Sequence, residues 1–300
     1  MRIGIVRYRG RSVHYPDITG LCGVDSLAHI CENQTLYNHK DAENLSFDVT
    51  LLVGTPDMVK WYKENKPKRW GKILYLFYRA GLDLNNLDDI ENIYPFDGIL
   101  TTEKNSKSWE VFGKPVIECF LPCVPDQFNK TEKSVNPFKV VLIIKNMSDR
   151  NVNFIDTLSV FKKTGLKGIV STNSAFPYCE DTEKLRTLVK KLNLDIEVNR
   201  PKDKIEYIES IKDCSGMLSM DVRQSYGRWV LDAANLGIPC IGTYSTMQEV
   251  LYPEYMVFPN EIDKAVELVK TAKPLNIDWS LFEPHQVRKA LEGKIEKNFG

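Results

Sequence analysis

Short apolar runs alternate along the chain with longer amphipathic stretches, and this rhythm predicts the elements. In the first half, residues 2–7, 47–53, 73–77, 96–101 and 115–119 read as buried strands. Residues 24–31, 57–64 and 103–112 read as helices between them. A polar stretch, 129–136, ends at Pro137 and carries no apolar periodicity, so it reads as a linker. Beyond it the pattern resumes, with strands at 139–144, 168–172, 195–198, 216–219, 239–241 and 255–258. Helices are expected at 152–164, 181–192, 202–213, 227–236 and 262–271, with one or two more across 279–298. Strands alternating with helices over short connections argue for α/β folding on parallel, doubly wound sheets.

Composition narrows the class. Three hundred residues suit two domains of about 100–150 residues each. A 43% hydrophobic and 27% charged composition is that of a globular protein. Forty basic residues balance forty acidic ones, so no global field draws the chain to nucleic acid or acidic lipid. The opening M-R-I-G-I-V-R-Y-R-G is too short and too charged for a signal peptide. No apolar run approaches the ~20 residues of a membrane span. Seven cysteines form no C-x-x-C pair, which fits reduced thiols, and the expected location is cytoplasmic. The four histidines show no metal spacing, and no Ser/His/Asp or Cys/His nucleophile arrangement emerges. Residues 61–72, W-Y-K-E-N-K-P-K-R-W-G-K, interleave aromatic and basic side chains. They suit either an anionic acceptor or a helix end with a solvated basic face.

Residues 220–243, M-D-V-R-Q-S-Y-G-R-W-V-L-D-A-A-N-L-G-I-P-C-I-G-T, carry the clearest chemistry. A polar loop leads into a helix that Ser225 can cap, and Gly227 lets the backbone turn closely. Val230, Ala233 and Ala234 form a small-residue packing face, Gly237 ends the helix and Pro239 blocks its return. A helix start behind an open loop presents N–H groups and a positive dipole end, which suits phosphate.

The run Q-S-Y-G-R-W-V-L-D-A-A-N-L-G-I-P-C-I-G resembles the donor-site signature of GT-B glycosyltransferases. It is similar to the large retaining family whose E-x7-E motif sits in E-G-F-G-x-x-x-x-E-A-x-A-x-G-x-P-V-I. Gln224 falls on the first Glu and Asp232 on the second. Tyr226 and Gly227 fall on Phe-Gly, Ala233 on the Ala, and Gly237, Pro239 and Ile241 complete the match. The run from F-D-G-I-L-T-T-E to C-V-P-D-Q-F-N resembles the end of the family's N-terminal domain. The resemblance implies two Rossmann-like domains facing each other across a cleft. Residues 1–130 would be the acceptor side, 137–272 the nucleotide-sugar side, and 273–300 a helical tail packing back on the first domain.

It also implies roles. Lys145 and Arg150 stand where the family holds the donor diphosphate with two basic residues. Gln224 would contact the donor sugar and Asp232 the ribose; the alternative for Asp232 is an i,i+4 surface ion pair with Arg228. Ser225, Tyr226 and Gly227 would line the donor site, Arg228 would reach a phosphate or donor carboxylate, and Arg200 would stack on the base. In the first domain, Gly20 and Gly23 stand in the loop expected to touch acceptor or phosphate, or serve a turn. Tyr78 and Arg79 occupy the place of a cleft histidine found in many relatives, and His14 is a candidate substitute. The implied activity is that of a hexosyl- or pentosyltransferase, moving a sugar with retention from a nucleotide-diphospho-sugar to a hydroxyl of a glycan, lipid, protein or nucleic acid. No cofactor and no metal are expected, the cations and the helix dipole neutralising the diphosphate. Two alternatives stand beside it: an epimerase on the same fold, and a binding module that has lost turnover, for which the neutral Gln224 speaks.

Overall fold

Apolar runs bounded by turn residues become parallel strands in both halves of the chain. The computed structural model describes residues 1–8, 24–36, 44–53, 56–77, 91, 93–102, 106–123, 138–140, 154–171, 179–199, 201, 204–220, 226–273 and 275–300. The chain divides into two units. One comprises Met1–His14, Cys22–Val124 and Trp279–Gly300, the other Tyr15–Leu21 and Pro125–Asp278.

The first unit is built on a six-stranded sheet of β1 (Ile3–Tyr8), β2 (Glu32–Leu36), β3 (Val49–Val53), β4 (Lys72–Phe77), β5 (Gly98–Thr101) and β6 (Val116–Glu118). The order is β2-β1-β3-β4-β5-β6 and every pairing is parallel. β2 was not expected, because its sequence E-N-Q-T-L contains no apolar run. It is an edge strand, tied to the start of β1 by a two-pronged bond from the Arg2 guanidinium to the Glu32 carboxylate at 3.0 and 2.9 Å.

The Trp61–Lys72 segment is a core element. Trp61 and Trp70 are buried with ring centroids 5.3 Å apart, and Tyr62 stacks on Phe96 at 5.1 Å. The aromatics therefore pack into the sheet's core with Val6, Leu52, Ile73 and Ile99. The basic residues, Lys63, Lys66, Lys68, Arg69 and Lys72, stay at the surface. Segment 106–112, expected as α-helix, is a 3-10 helix, as is 24–29. In the former, the Trp109 and Phe112 rings lie 5.9 Å apart, tilted by 30°, on the three-residue period of the 3-10 helix.

The C-terminal helix Pro284–Phe299 buries Val287, Leu291 and Ile295 along one stripe. Within the same unit Lys294 Nζ donates to the Glu118 carbonyl at 2.6 Å, and Arg288 donates to the Ile30 and Met1 carbonyls. Upstream of that helix, Cys123 N–H donates to the Phe282 carbonyl at 2.9 Å.

The second unit carries β7 (Phe138–Val140), β8 (Gly168–Ser171), β9 (Ile196–Asn199), β10 (Gly216–Ser219) and β11 (Cys240–Gly242). Its order is β11-β10-β7-β8-β9, again all parallel. Helices Phe154–Thr164, Cys179–Lys191, Lys204–Ile211, Arg228–Leu236 and Ile262–Thr271 form close to their expected places. Two differences follow β11. The strand expected at 255–258 is a single bridge, Met256 to Gly242, and its first residue, Tyr255, belongs instead to the 3-10 turn Pro253–Tyr255. A helix not expected, Thr246–Leu251, starts at Ser245, whose Oγ accepts the Gln248 N–H at 3.1 Å. Its signature, Ser245-x-x-Gln248, is that of a capping box, although the Gln248 amide turns inward to the Cys240 and Tyr252 carbonyls.

Candidate functional site

Strand order places the site. In the second unit the chain runs outward from β7 through β8 to β9, then returns to the other side of β7 as β10 and β11. The reversal lies between β7 and β10, and in open parallel sheets ligands bind beyond the carboxyl ends of the strands at such a point. The segment that leaves β7 contains Lys145 and Arg150, and the one that leaves β10 contains Gln224 and Ser225. All four residues lie outside the described ones, as do Arg200, Gly20, Gly23, His14, Tyr78 and Arg79. The described ends of the two segments are joined directly. Met220, the first residue past β10, donates its N–H to Thr157 Oγ1 at 3.2 Å inside the unit. Thr157 sits in the first turn of the helix that follows the β7 segment.

The Arg228–Leu236 helix is buried along most of its length, from Val230 to Leu236. Its N-cap is Gly227, in left-handed backbone at φ 80° and ψ 48°, and no side chain caps it. The expectation of a Ser225 cap is therefore corrected: the helix starts two residues too late for that side chain to serve as the cap. Gly227 is required there twice over, since a Cβ would also lie 2.2 Å from Ser245 Oγ. At the other end the Gly237 N–H bonds the Ala234 carbonyl and the Ile238 N–H the Ala233 carbonyl, both at 3.0 Å, which is a Schellman closure. Tyr226 is buried, and its carbonyl accepts the Met247 N–H at 3.0 Å. Arg228, the first residue of the helix, is half-buried.

Asp232 is 1% exposed, which excludes its reading as a residue of the solvated helix surface. Its Oδ2 accepts the hydroxyl of Tyr207, from the Lys204–Ile211 helix, at 3.0 Å. Burial drives the Tyr207 hydroxyl well above its ordinary range, and the charge of Asp232 pushes the same way. The phenol therefore stays protonated and remains a donor. Cys240, on β11, is likewise raised by burial and then by Asp232. Arg200 follows the end of β9, and the next residue, Pro201, is buried.

Sequence reasoning missed Thr157, Tyr207 and Ser245. Ser245 carried a local signal, its capping box. Tyr207 had a weaker one: a tyrosine among the apolar residues of a helix needs a partner for its hydroxyl.

Among the described residues no helix is long and apolar enough to cross a membrane, and no three His, Cys, Asp or Glu side chains gather as metal ligands would. No protein-family model matches the chain, and no curated protein does. Solved structures do. The lipopolysaccharide outer core galactosyltransferase WaaB, in its apo form, is similar with a TM-score of 0.64 at 11% identity, covering 99% of both chains. HepE of Anabaena in complex with UDP-glucose is similar with a TM-score of 0.66 at 10% identity, over 99% of this chain and 95% of that one. A glycosyltransferase from Rickettsia africae is similar with a TM-score of 0.57 at 10% identity, over 100% and 94%. The chain thus has the GT-B-type α/β fold, with two Rossmann-like domains.

Proposed function

We propose that this chain is a glycosyltransferase that takes a sugar from a nucleotide-diphospho-sugar and passes it to a hydroxyl acceptor, with retention. The observation that carries the reading is the reversal of strand order between β7 and β10, from whose ends two segments of suitable sequence depart. Their sequences hold the cations and amide that a donor site requires, and their ends are joined through Met220 and Thr157. The second unit binds the donor. Lys145 and Arg150 neutralise the diphosphate, with the uncapped start of the Arg228–Leu236 helix adding its dipole. Ser225, Tyr226, Gly227 and Arg228 line that start, Arg200 stacks on the base, and Asp232 reads the ribose. Gln224 contacts the sugar, and the first unit presents the acceptor, with Gly23, His14, Tyr78 and Arg79 on its side; Gly20, expected there too, belongs to the second unit. The likeness to HepE in complex with UDP-glucose supports the substrate class.

In this reading the acceptor oxygen forms a bond to the anomeric carbon on the face from which the diphosphate leaves. The bond between that carbon and the diphosphate oxygen breaks, and the acceptor's proton passes to the departing diphosphate. No protein nucleophile is needed, and the charge balance rests on the two cations and the helix dipole rather than a metal. The reaction proceeds on the cytoplasmic side.

A second reading, a donor-binding module without turnover, is favoured by two features of the sequence, the neutral amide at Gln224 and Tyr78-Arg79 where many relatives of the resembled family carry a histidine. The experiment that separates them begins with a thermal-shift panel of nucleotide-sugars, in which a ligand at 100 times its Kd adds about 2.7 kcal/mol. Product formation by mass spectrometry follows for wild type, Gln224→Glu and Gln224→Ala over a broad acceptor panel. The enzyme reading expects turnover by wild type, less by Gln224→Glu and least by Gln224→Ala. Binding without transfer on any acceptor would select the binding module, and donor conversion without an acceptor would select an epimerase.

A further inference from the structure

We infer that Tyr207 is a positioning residue: its hydroxyl holds the Asp232 carboxylate in the orientation that reads the ribose hydroxyls of a nucleoside diphosphate. The inference rests on the donor reading above and adds to it a residue that no sequence motif marks. Asp232 is shorter by one methylene than a glutamate, so its carboxylate stays close to the helix that carries it. A carboxylate held so close needs a donor within the protein to fix its plane, and Tyr207 Oη supplies one at 3.0 Å to Oδ2. Both residues are buried, Asp232 at 1% and Tyr207 at 5% exposure, so the bond is sheltered from water.

The donor is itself held rigidly. Ser210 Oγ donates to the Tyr207 carbonyl at 2.7 Å and lies 3.2 Å from Ser171 Oγ. Ser171 ends β8, so the turn carrying Tyr207 is fixed to the carboxyl edge of the sheet. A tyrosine side chain has few rotatable bonds, and its ring is packed. Tyr207 also joins two elements that serve different parts of one nucleotide. Its helix, Lys204–Ile211, begins just past Arg200, while Asp232 stands on the Arg228–Leu236 helix. One hydrogen bond thereby sets the register between the base-side and ribose-side elements.

The test is calorimetric binding of UDP, ADP and GDP and of their 2′-deoxy counterparts to wild type, Tyr207→Phe, Asp232→Asn and the double variant. Wild type is expected to prefer the ribonucleotide by about tenfold, which is about 1.4 kcal/mol. Tyr207→Phe is expected to cut that preference at least threefold while changing deoxynucleotide affinity little. The double variant should show the same preference as Asp232→Asn alone, because Tyr207 acts through that carboxylate. Should Tyr207→Phe not fold with a buried carboxylate left short of a donor, the double variant, which carries no such charge, decides by that equality. A Tyr207→Phe protein that keeps the full preference, or one that loses ribo- and deoxynucleotide binding equally, assigns Tyr207 to helix packing and overturns the inference alone. Wild type that binds none of the six nucleotides overturns the donor reading and this inference with it.

Discussion

Replacing Gly227 by alanine tests the architecture of the candidate site through stability. Two costs are expected to add. At φ 80° an alanine sits in left-handed backbone, which costs roughly 1–2 kcal/mol. Its Cβ would also lie 2.2 Å from Ser245 Oγ and 2.9 Å from Ser245 Cβ, so Ser245 must move. That movement gives up its cap on the Thr246–Leu251 helix, worth about 1 kcal/mol. The sum is a loss of about 2–3 kcal/mol. Gly165 supplies the control, since it too has positive φ, 65°, but no atom lies within 4 Å of its added Cβ. Gly165→Ala should therefore cost the backbone part only, ~1–2 kcal/mol. In the double variant Gly227→Ala with Ser245→Gly the overlap is gone, and the loss should shrink toward the control. The assay is a urea titration read by hydrogen-exchange mass spectrometry on peptides of the second unit. This keeps the two units from being averaged into one transition. If Gly227→Ala and Gly165→Ala differ by less than about 0.5 kcal/mol, the close approach of Ser245 does not constrain this turn and the argument is wrong.

If Lys145 and Arg150 grip the diphosphate, each changed to Ala should weaken nucleotide binding by about 1.5–3 kcal/mol in calorimetry, the worth of a hydrogen bond to a charged group; unchanged affinity in both removes them from the site. Trp70, fully buried against Trp61, should cost about 3–5 kcal/mol on truncation to Ala, whereas Ser at Lys66, Lys68 and Arg69 should each change stability by less than about 0.5 kcal/mol. Denaturant titration checks both, and a large effect from the lysines would mean their heads, not the tryptophans, hold the segment. Burial pushes the Cys31 and Cys119 thiols up to about 12, while an unfolded thiol titrates near ~8.5. The folded chain therefore keeps protons that the unfolded one releases. The stabilising contribution is complete below about pH 8.5 and is lost as the pH climbs toward 12. Between about pH 8.5 and 10.5 wild type should lose more stability than the Cys31→Ala, Cys119→Ala variant, and equal slopes would refute the burial argument.

The periodic part of the fold was legible because its signal is local. Runs such as V-T-L-L-V and G-M-L-S are buried strands flanked by turn residues, and their helices carry apolar stripes on the 3.6-residue period. What escaped was set by neighbours. β2 has no apolar run and forms because β1 offers an edge and Arg2 a partner for Glu32. The residues at 255–258 have strand character, but the 3-10 turn Pro253–Tyr255 takes the first of them and one bridge is all that forms. Residues 61–72 suited an anionic acceptor or a helix end with a solvated basic face; burial puts Trp61 and Trp70 in the core of the first unit, and the sequence cannot say which face of the segment the sheet covers. At the candidate site the glycines, the proline and the cations stood out because backbone turns and phosphate charge each demand particular residue types. Tyr207 did not, because its partner lies 25 residues away and only the tertiary fold brings the two together. A buried hydroxyl implies some acceptor. That the acceptor is Asp232, the residue on which the ribose reading depends, comes from the tertiary fold, which brings one side chain of the Lys204–Ile211 helix within reach of one on the Arg228–Leu236 helix. The acid and the tyrosine are therefore partners across two elements, and neither can be interpreted from its own stretch of sequence.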